Sequence, residues 1–404
     1  MSTSFVPVLL GTEIASYGMA RAFYEEYGVK SVVYGTFPLT PTAHSKFIEV
    51  RIDEHLGDEG RLADVLNDHV GLLGGKPGLV VPCGDEYAVA LARQKDLLDP
   101  AYLAVCPAID VVERFDDKES FYDLCERMGA PYPKTYIVTG PDTPLELPFG
   151  YPVACKPADA ISYRNHPFEG QKKAFIIDTP EDLATTVGRV YASGYTDHLI
   201  VQDFIPGDDG SMRVVNGYAR GDGSISLLSI GHPLLEDYSP MAIGNYAAIL
   251  SYSDEAIYDS VERLLKDSGW RGFFNMDLKF DPRDNTYKFF ELNPRAGRSS
   301  FFTTLAGYNL ARFAVDDFLL GGAIEPVRAT NEVLWVGVPR AIVKKYVEDG
   351  PDKERALELM RQGKVGTTLF GAHDNHPKRL FNMAKLWVRY FPEYRRHFGH
   401  RDLS

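Results

Sequence analysis

The chain has 404 residues, 45% of them hydrophobic and 25% charged, with a formal net charge of −13. That length allows two or three domains around a large core, and the acidic balance excludes a general nucleic-acid binder. The four cysteines, Cys83, Cys106, Cys125 and Cys155, form no C-x-x-C pair; they read as buried thiols in a reducing compartment, against a disulfide frame or a zinc site. Residues 1–10 lack the basic n-region and full apolar stretch of a signal peptide, and no apolar run approaches the length of a membrane span, so a cytoplasmic protein is expected.

In chain order, apolar runs at Phe5–Leu10, Ser31–Tyr34, Phe47–Ile52, Leu79–Pro82 and Tyr102–Cys106 predict strands. Between them lie a glycine turn from Gly11 to Gly18, helical text at Met19–Tyr27, and helices near Asp58–Val70 and Tyr87–Leu98. Such alternation predicts a parallel sheet covered by helices. Ligands of such sheets lie beyond the strand C-termini, here Gly11–Tyr17 and Pro82–Glu86. The glycine spacing is not G-x-G-x-x-G and no acidic residue closes the second strand, so NAD is not expected. Asp85 reads equally as a residue that orients an amine substrate and as a helix cap.

Asp116 and Glu119 have capping-box spacing, which predicts a helix from there to about Met128. Lys118 then falls in the first turn, where the macrodipole favours anions; it reads as a phosphate contact or as an ordinary exposed lysine. Proline-rich text through Pro152 marks a boundary, and Val153–Pro157 predicts a short strand carrying Lys156. The polar loop Ala158–Lys173, with its paired Lys172 and Lys173, either folds over phosphates or is a plain hairpin loop before a strand at Ala174–Asp178. A helix at Glu181–Val190, strands at His198–Asp203, Ser211–Tyr218 and Ser224–Leu235, and a helix at Asp254–Ser268 make this middle part α+β.

Two strands and the turn Asp281-Pro-Arg-Asp-Asn285 follow. Strand side chains alternate faces, so Asn275, Asp277 and Lys279 share one face and Glu291 and Asn293 share one face of the partner. Pairing would gather Asp277, Glu291 and Asn293 as hard oxygen ligands with Arg295 and Arg298 beyond, a set suited to Mg²⁺ carrying a polyphosphate. A solvated strand face is the competing reading; Glu291-Leu-Asn-Pro-Arg295, directly after a very apolar strand, favours the functional one. Ser299 and Ser300 can cap a helix running to about Leu320. From Asn331 onward there are 14 Lys and Arg against 9 Asp and Glu, while the whole chain has 43 against 56. The basic, aromatic, amphipathic Lys378–His397 suits an anionic membrane surface or anionic partner, or a packed helix with a basic solvent face.

Together these segments resemble the ATP-grasp superfamily over nearly the whole chain. Glu291-Leu-Asn-Pro-Arg-Ala-Gly-Arg-Ser-Ser300 is similar to the metal motif of carbamoyl phosphate synthetase. Asp116-Asp-Lys118 resembles the start of the first nucleotide-binding segment, Val153–Pro157 the phosphate-binding lysine strand, and Gln202–Gly207 the adenine hinge. The resemblance implies an α/β Rossmann-like domain over residues 1–112, an α+β ATP-grasp fold of two subdomains over 113–330 with ATP between them, and a basic extension over 331–404 packed on or near it. It implies ATP and Mg²⁺, with Mn²⁺ as a substitute. Lys118, Lys156 and Lys173 would meet the phosphates, and Asp203 and Ile205 the adenine through backbone groups. Asp208 or Asp209 would reach the ribose, and Asp277, Glu291 and Asn293 would bind the metal. Arg295 would stabilise the transferred phosphate, with Arg298 and Lys279 as its catalytic companions.

Two departures stand out: Ser162–Lys173 replaces the usual glycine-rich phosphate loop, and the hinge acid is Asp rather than Glu. That loop, with Gly244-Asn245, is most similar to bacterial carboxylate–amine ligases that include D-aspartate ligase, which attach an amino acid to the peptidoglycan precursor. The implied activity is ATP-dependent amide formation through an acyl phosphate, on small-molecule carboxylate and amine substrates such as D-aspartate and that precursor. No nucleic-acid partner is implied; peripheral membrane contact through the C-terminal helix and a homodimer are compatible with it. An ATP-grasp ligase of metabolites or peptides outside the cell wall, a non-catalytic nucleotide-binding regulator and a Rossmann oxidoreductase are the open alternatives. Arg298 and Arg213 read as holders of a substrate carboxylate or as structural salt-bridge residues. No Ser-His-Asp or Cys-His nucleophile is evident, and the histidines lack H-E-x-x-H spacing.

Overall fold

Short runs of Val, Leu and Ile at the start of the chain become the strands β1 (Val6–Leu10), β2 (Ser31–Gly35), β3 (Ile48–Ile52), β4 (Gly78–Pro82) and β5 (Tyr102–Ala104) in a computed structural model, which describes residues 4–238, 242 and 244–398. They form one parallel sheet in the order β3-β2-β1-β4-β5, as the alternation predicts. The helices α1 (Ile14–Tyr27), α2 (Arg61–Asp68) and α3 (Asp85–Gln94) connect them. Helix α1 starts inside the stretch read as a glycine turn. Gly11, at φ 109°, makes the turn alone, and residues from Ala15 to Phe23 are already buried. The C-terminal ends of β1 and β4 are adjacent in this sheet, so Glu13 and Asp85 emerge at the same edge.

Two helices, α4 (Ile109–Asp116) and α5 (Lys118–Met128), lead into the next layer. The cap of α5 is Asp117, whose carboxylate accepts the Ser120 N–H at 2.8 Å, one residue beyond the Asp116 expected from capping-box spacing. Asp116 instead ends α4. An antiparallel sheet follows, of β6 (Thr135–Val138), β7 (Val153–Pro157), β8 (Phe175–Ile177) and β9 (Leu199–Asp203), in the order β6-β9-β7-β8. Strand β6 sits beside the proline-rich text that had marked only a boundary. The short helix α6 (Ala160–Asn165) occupies part of the loop expected to be irregular, and α7 (Pro180–Ala192) is capped by Thr179.

The largest sheet holds β10 (Met212–Ala219), β11 (Ile225–Glu236), β12 (Tyr246–Tyr252), β13 (Gly272–Asp281), β14 (Thr286–Asn293), β15 (Val327–Arg328), β16 (Leu334–Val336) and β17 (Val365–Gly366). Its order is β14-β13-β10-β11-β12-β16-β17, with β15 beside β11. Helix α8 (Glu255–Leu265) is capped by Asp254. The single helix expected to reach Leu320 is broken into α9 (Phe301–Leu305) and α10 (Leu310–Val315): Gly307 turns at φ 96° and Asn309 caps the second piece. The chain ends in α11 (Arg340–Tyr346), α12 (Pro351–Arg361) and α13 (Pro377–His397).

The C-terminal segment is integral to both neighbours. Strands β16 and β17 extend the large sheet. Leu369 and Met383 share one apolar core with Tyr17 and Phe23 of α1 and with Tyr218 and Phe273. A buried ion pair, Arg379 to Asp374 at 2.8 Å, fixes the junction. Asp374 also accepts from Tyr17 Oη at 3.1 Å and Lys46 N–H at 2.9 Å, while Arg379 donates to Leu369 O at 3.0 Å and stacks over Tyr17 at 3.8 Å. Removing one partner of such a pair typically costs about 3–5 kcal/mol, because the other charge is left buried and unpaired.

Candidate active site

Strand β13 runs antiparallel to β14 with Asp277 opposite Glu291 and Asn275 opposite Asn293. Phe290 is an extra residue in β14 at this point, a bulge of the kind that re-aims side chains beside active sites. The Tyr122 hydroxyl holds the Phe290 carbonyl at 3.0 Å. Asp277, Glu291 and Asn293 therefore come together, as expected, but through the bulge rather than through unbroken alternation. Tyr246 Oη donates to Asp277 Oδ1 at 2.8 Å. Burial, and then the facing Glu291, push the Asp277 carboxyl up to about 7. Asn293 Nδ2 points back at Asn275 O and Oδ1, both at 3.4 Å, and Asn275 Nδ2 donates to Asn216 Oδ1 at 2.9 Å. This amide ladder leaves the Asn293 carbonyl oxygen as the atom to offer a cation. Gly297 permits the close approach: a Cβ there would lie 2.9 Å from Asn275 Nδ2.

The donor set fits a hard divalent cation. Two carboxylates forced together lack only a positive charge between them, and Asn293 adds a neutral oxygen. Among the described residues no group of three or more His, Cys, Asp and Glu could hold a metal by itself. A cation such as Mg²⁺ suits such a place, because it binds through one or two carboxylates and completes its shell with water and phosphate oxygens.

Lys156, at the end of β7, is pushed down to about 8, first by burial and then by Lys118; Glu291 opposes this and Lys173 adds to it. These mutual influences place Lys118, Lys156, Lys173 and Glu291 around one space. Lys173 Nζ also lies 3.9 Å from where a Cβ on Gly244 would stand, so the loop after α6 meets the Gly244-Asn245 stretch. Because the Lys156 pKa is lowered from 10.5, the free protein carries this side chain neutral above about pH 8. A triphosphate stabilises the charged form. Nucleotide binding is therefore expected to take up a proton between about pH 8 and 10.5 and none from this group well below 8. Calorimetry in buffers of different ionisation enthalpy reads that uptake, and it should vanish in Lys156→Met.

Several expected roles change once the neighbours are seen. Lys279 donates to the carbonyls of Ile205 at 2.8 Å and Gly207 at 3.1 Å, with Phe204 beneath it at 5.2 Å. Through these two carbonyls it braces the hinge. The Asp203 carboxylate is gripped by both terminal nitrogens of Arg283, at 2.8 and 2.9 Å, and its N–H is spent on Lys134 O at 2.9 Å. Asp209 Oδ2 accepts from Glu236 N–H at 3.1 Å and Tyr238 Oη at 2.9 Å, which ties to β11 the carboxylate assigned to the ribose. Asp208, beside it, is exposed. Arg213 donates through Nη1 to Gly210 O at 2.9 Å and Met212 O at 2.7 Å and lies over Tyr252, while its Nε is buried without a partner.

Arg295 reaches the N-terminal sheet, pairing with Asp85 through Nε–Oδ1 and Nη2–Oδ2, both 2.9 Å. Asp85 opens α3 after Gly84 and is thus not the cap. Arg298 lies 3.7 Å from Asp237. It lines a narrow cavity of about 10 Å³ with Ile14, Asp237, Tyr246, Thr367 and Tyr390. Thr367 Oγ1 and Glu13 Oε2 are buried atoms without a hydrogen-bond partner, and burial raises the Glu13 carboxyl. Asn275 was readable from its alternation with Asp277. Glu13 lies in the Gly11–Tyr17 strand end where a ligand is expected; Tyr246, Asn216, Thr367 and Arg283 carried no local signal, and only the tertiary pairing shows them.

No protein-family model matches the chain. It is 40% identical to D-aspartate ligase of Enterococcus faecium, over 98% of this chain and 97% of that protein. It is 24% identical to the carbamoyl phosphate synthase large chain of Clostridium beijerinckii, over 64% of this chain and 25% of that one. Among solved structures, the ADP complex of N5-carboxyaminoimidazole ribonucleotide synthetase superposes with a TM-score of 0.61 at 12% identity, covering 89% of this chain and 96% of that one. With the first likeness sustained over nearly the full length of both proteins, the chain belongs to the D-aspartate ligase family of ATP-grasp enzymes and is an ATP-dependent C–N ligase.

Proposed function

We propose that this ligase activates the carboxylate of an amino acid such as D-aspartate and joins it to an amine of a peptidoglycan precursor. The observation that carries the site assignment is the facing pair Asp277 and Glu291, two crowded carboxylates beside Lys156. The amino-acid assignment rests on the Enterococcus relative. A carboxylate oxygen of the substrate attacks the γ-phosphorus of ATP, the bond to the ADP oxygen breaks, and an acyl phosphate forms. A neutral amine then attacks the acyl carbon, phosphate leaves, and the nitrogen loses a proton to give the amide.

Lys118, Lys156 and Lys173 hold the phosphates, and Ile205 meets the adenine through its backbone. Asp277, Glu291 and Asn293 hold Mg²⁺ or Mn²⁺, which when bound supplies charge neutralisation at the phosphates. Arg295 faces the charge that develops on the transferred group. Arg298, at the mouth of the cavity shared with Thr367 and Tyr390, receives a carboxylate of the amino acid. In this division residues 1–112 and 331–404 enclose the substrate end and residues 113–330 the nucleotide.

The test is ADP release against pairs of carboxylates and amines, with D-aspartate and a muropeptide precursor among them. Release that requires both members of that pair, with the amide found by mass spectrometry, is the expected result. Turnover with other pairs alone would replace the substrate assignment, and failure of every pair would sink it.

A further inference from the structure

Helix α13 has a second face that the fold does not use. Arg379, Met383, Tyr390 and Tyr394 are its buried side. Opposite them Phe381, Lys385, Val388, Pro392 and Arg395 follow each other at i, i+4, i+7, i+11 and i+14, and all are exposed. Phe381 and Val388 are 61% and 65% exposed, and Leu380 and Phe391 flank them at 42% and 43%. Lys378, Lys385, Arg389 and Arg396 make a parallel basic row. The acid on this helix, Glu393, is engaged by His397 at 3.5 Å. Of the twelve large hydrophobic side chains exposed among the described residues, six lie between Phe370 and Phe398. Such clustering is not the scatter of an ordinary surface.

We propose that this face of α13 docks the enzyme on an anionic phospholipid bilayer. Lys385 Nζ lies over the Phe381 ring at 4.5 Å, but a merely solvated basic face has no use for Val388. A helix with apolar and basic stripes side by side buries the first in the acyl boundary and sets the second against the headgroups. The charge of the whole supports this orientation: a chain of net charge −13 is on balance repelled by an anionic surface, so a basic patch decides which face approaches it. A second copy of the chain is the poorer occupant. The stripe is one helix of 21 residues, roughly 30 Å by 10 Å. That is about 300 Å² of surface, against about 800 Å² per partner in a standard stable interface. This inference does not depend on which amino acid the enzyme uses.

The test is co-sedimentation of the full chain with vesicles of phosphatidylglycerol and phosphatidylcholine, compared with phosphatidylcholine alone. Partition is expected to be at least about tenfold stronger on the anionic vesicles and to be released by high salt. Phe381→Ser with Val388→Ser should lower it about tenfold, with the thermal transition and ADP release in solution unchanged. Lys385→Gln with Arg389→Gln should weaken binding and flatten its salt dependence. Equal partition on both vesicles, or no binding to either, overturns the proposal. So does a dimer in sedimentation velocity without lipid that the Phe381→Ser and Val388→Ser pair dissolves, since that would assign the face to a second copy.

Discussion

Replacing Glu291 with alanine is expected to lower kcat/KM for ADP release by about three orders of magnitude while leaving the protein folded. Glu291 stands directly across from Asp277, and Asp277 is itself held up near 7 by burial and by that same Glu291. Removing Glu291 takes away the repulsion on Asp277 and, with it, the attraction to Lys156, so the two changes oppose each other and the thermal transition should move little. What goes is half of the anionic cradle for the cation, leaving Asp277 and Asn293 to hold it. Glu291→Gln is the sharper variant. It keeps the shape and the hydrogen-bonding capacity of the side chain and removes only the charge. If the carboxylate matters as a ligand, the glutamine variant should fall nearly as far as the alanine variant, and high Mg²⁺ should recover part of the loss. A Glu291→Gln enzyme within tenfold of the parent, with unchanged Mg²⁺ dependence, would remove Glu291 from the metal site.

The hairpin around Glu291 was readable in part because its information is local: period-two alternation groups Asn275 with Asp277 and Glu291 with Asn293, but strict pairing outward from Asp281 and Thr286 would set Asp277 opposite Phe290, and only the bulge there brings Glu291 across from it. The parallel N-terminal sheet was readable from local information too. Roles that depend on a distant partner were not. Lys279 shares the Asp277 face, but two residues along a strand are about 7 Å, enough to carry its ammonium to the hinge carbonyls of Ile205 and Gly207. Asp208 and Asp209 are chemically interchangeable in the text; Glu236 at the end of β11 and Tyr238 just beyond it decide that Asp209 is the one tied down. Adjacent acids likewise hid which of Asp116 and Asp117 caps α5. In the C-terminal helix every arginine looked like surface, yet the row Arg379, Met383, Tyr390 and Tyr394 is a helical face, and its first member is buried on Asp374.

Arg295→Met is expected to reduce kcat by two to three orders of magnitude, and Asp85→Asn by no more than about tenfold. The pair they form is a parallel two-pronged one, using Nε and Nη2 of the guanidinium. Asp85 comes from the end of β4 in the N-terminal sheet and Arg295 from the loop after β14 in the large sheet, so the contact spans the mouth of the site. Two roles are then open to Arg295. As a latch between sheets it matters only through Asp85, and the two single variants should be equally harmful, with the double variant no worse than either. As the group that balances charge on the transferred phosphoryl, it needs Asp85 only to hold its plane, and the arginine variant should be far worse. Arg295→Lys separates the two further, because an ammonium keeps the charge but not the two-pronged geometry. Recovery of some rate without recovery of the contact would point to charge. Equal losses in Arg295→Met and Asp85→Asn, with coupling as large as either single effect, would assign Arg295 to the latch and move the phosphate role elsewhere.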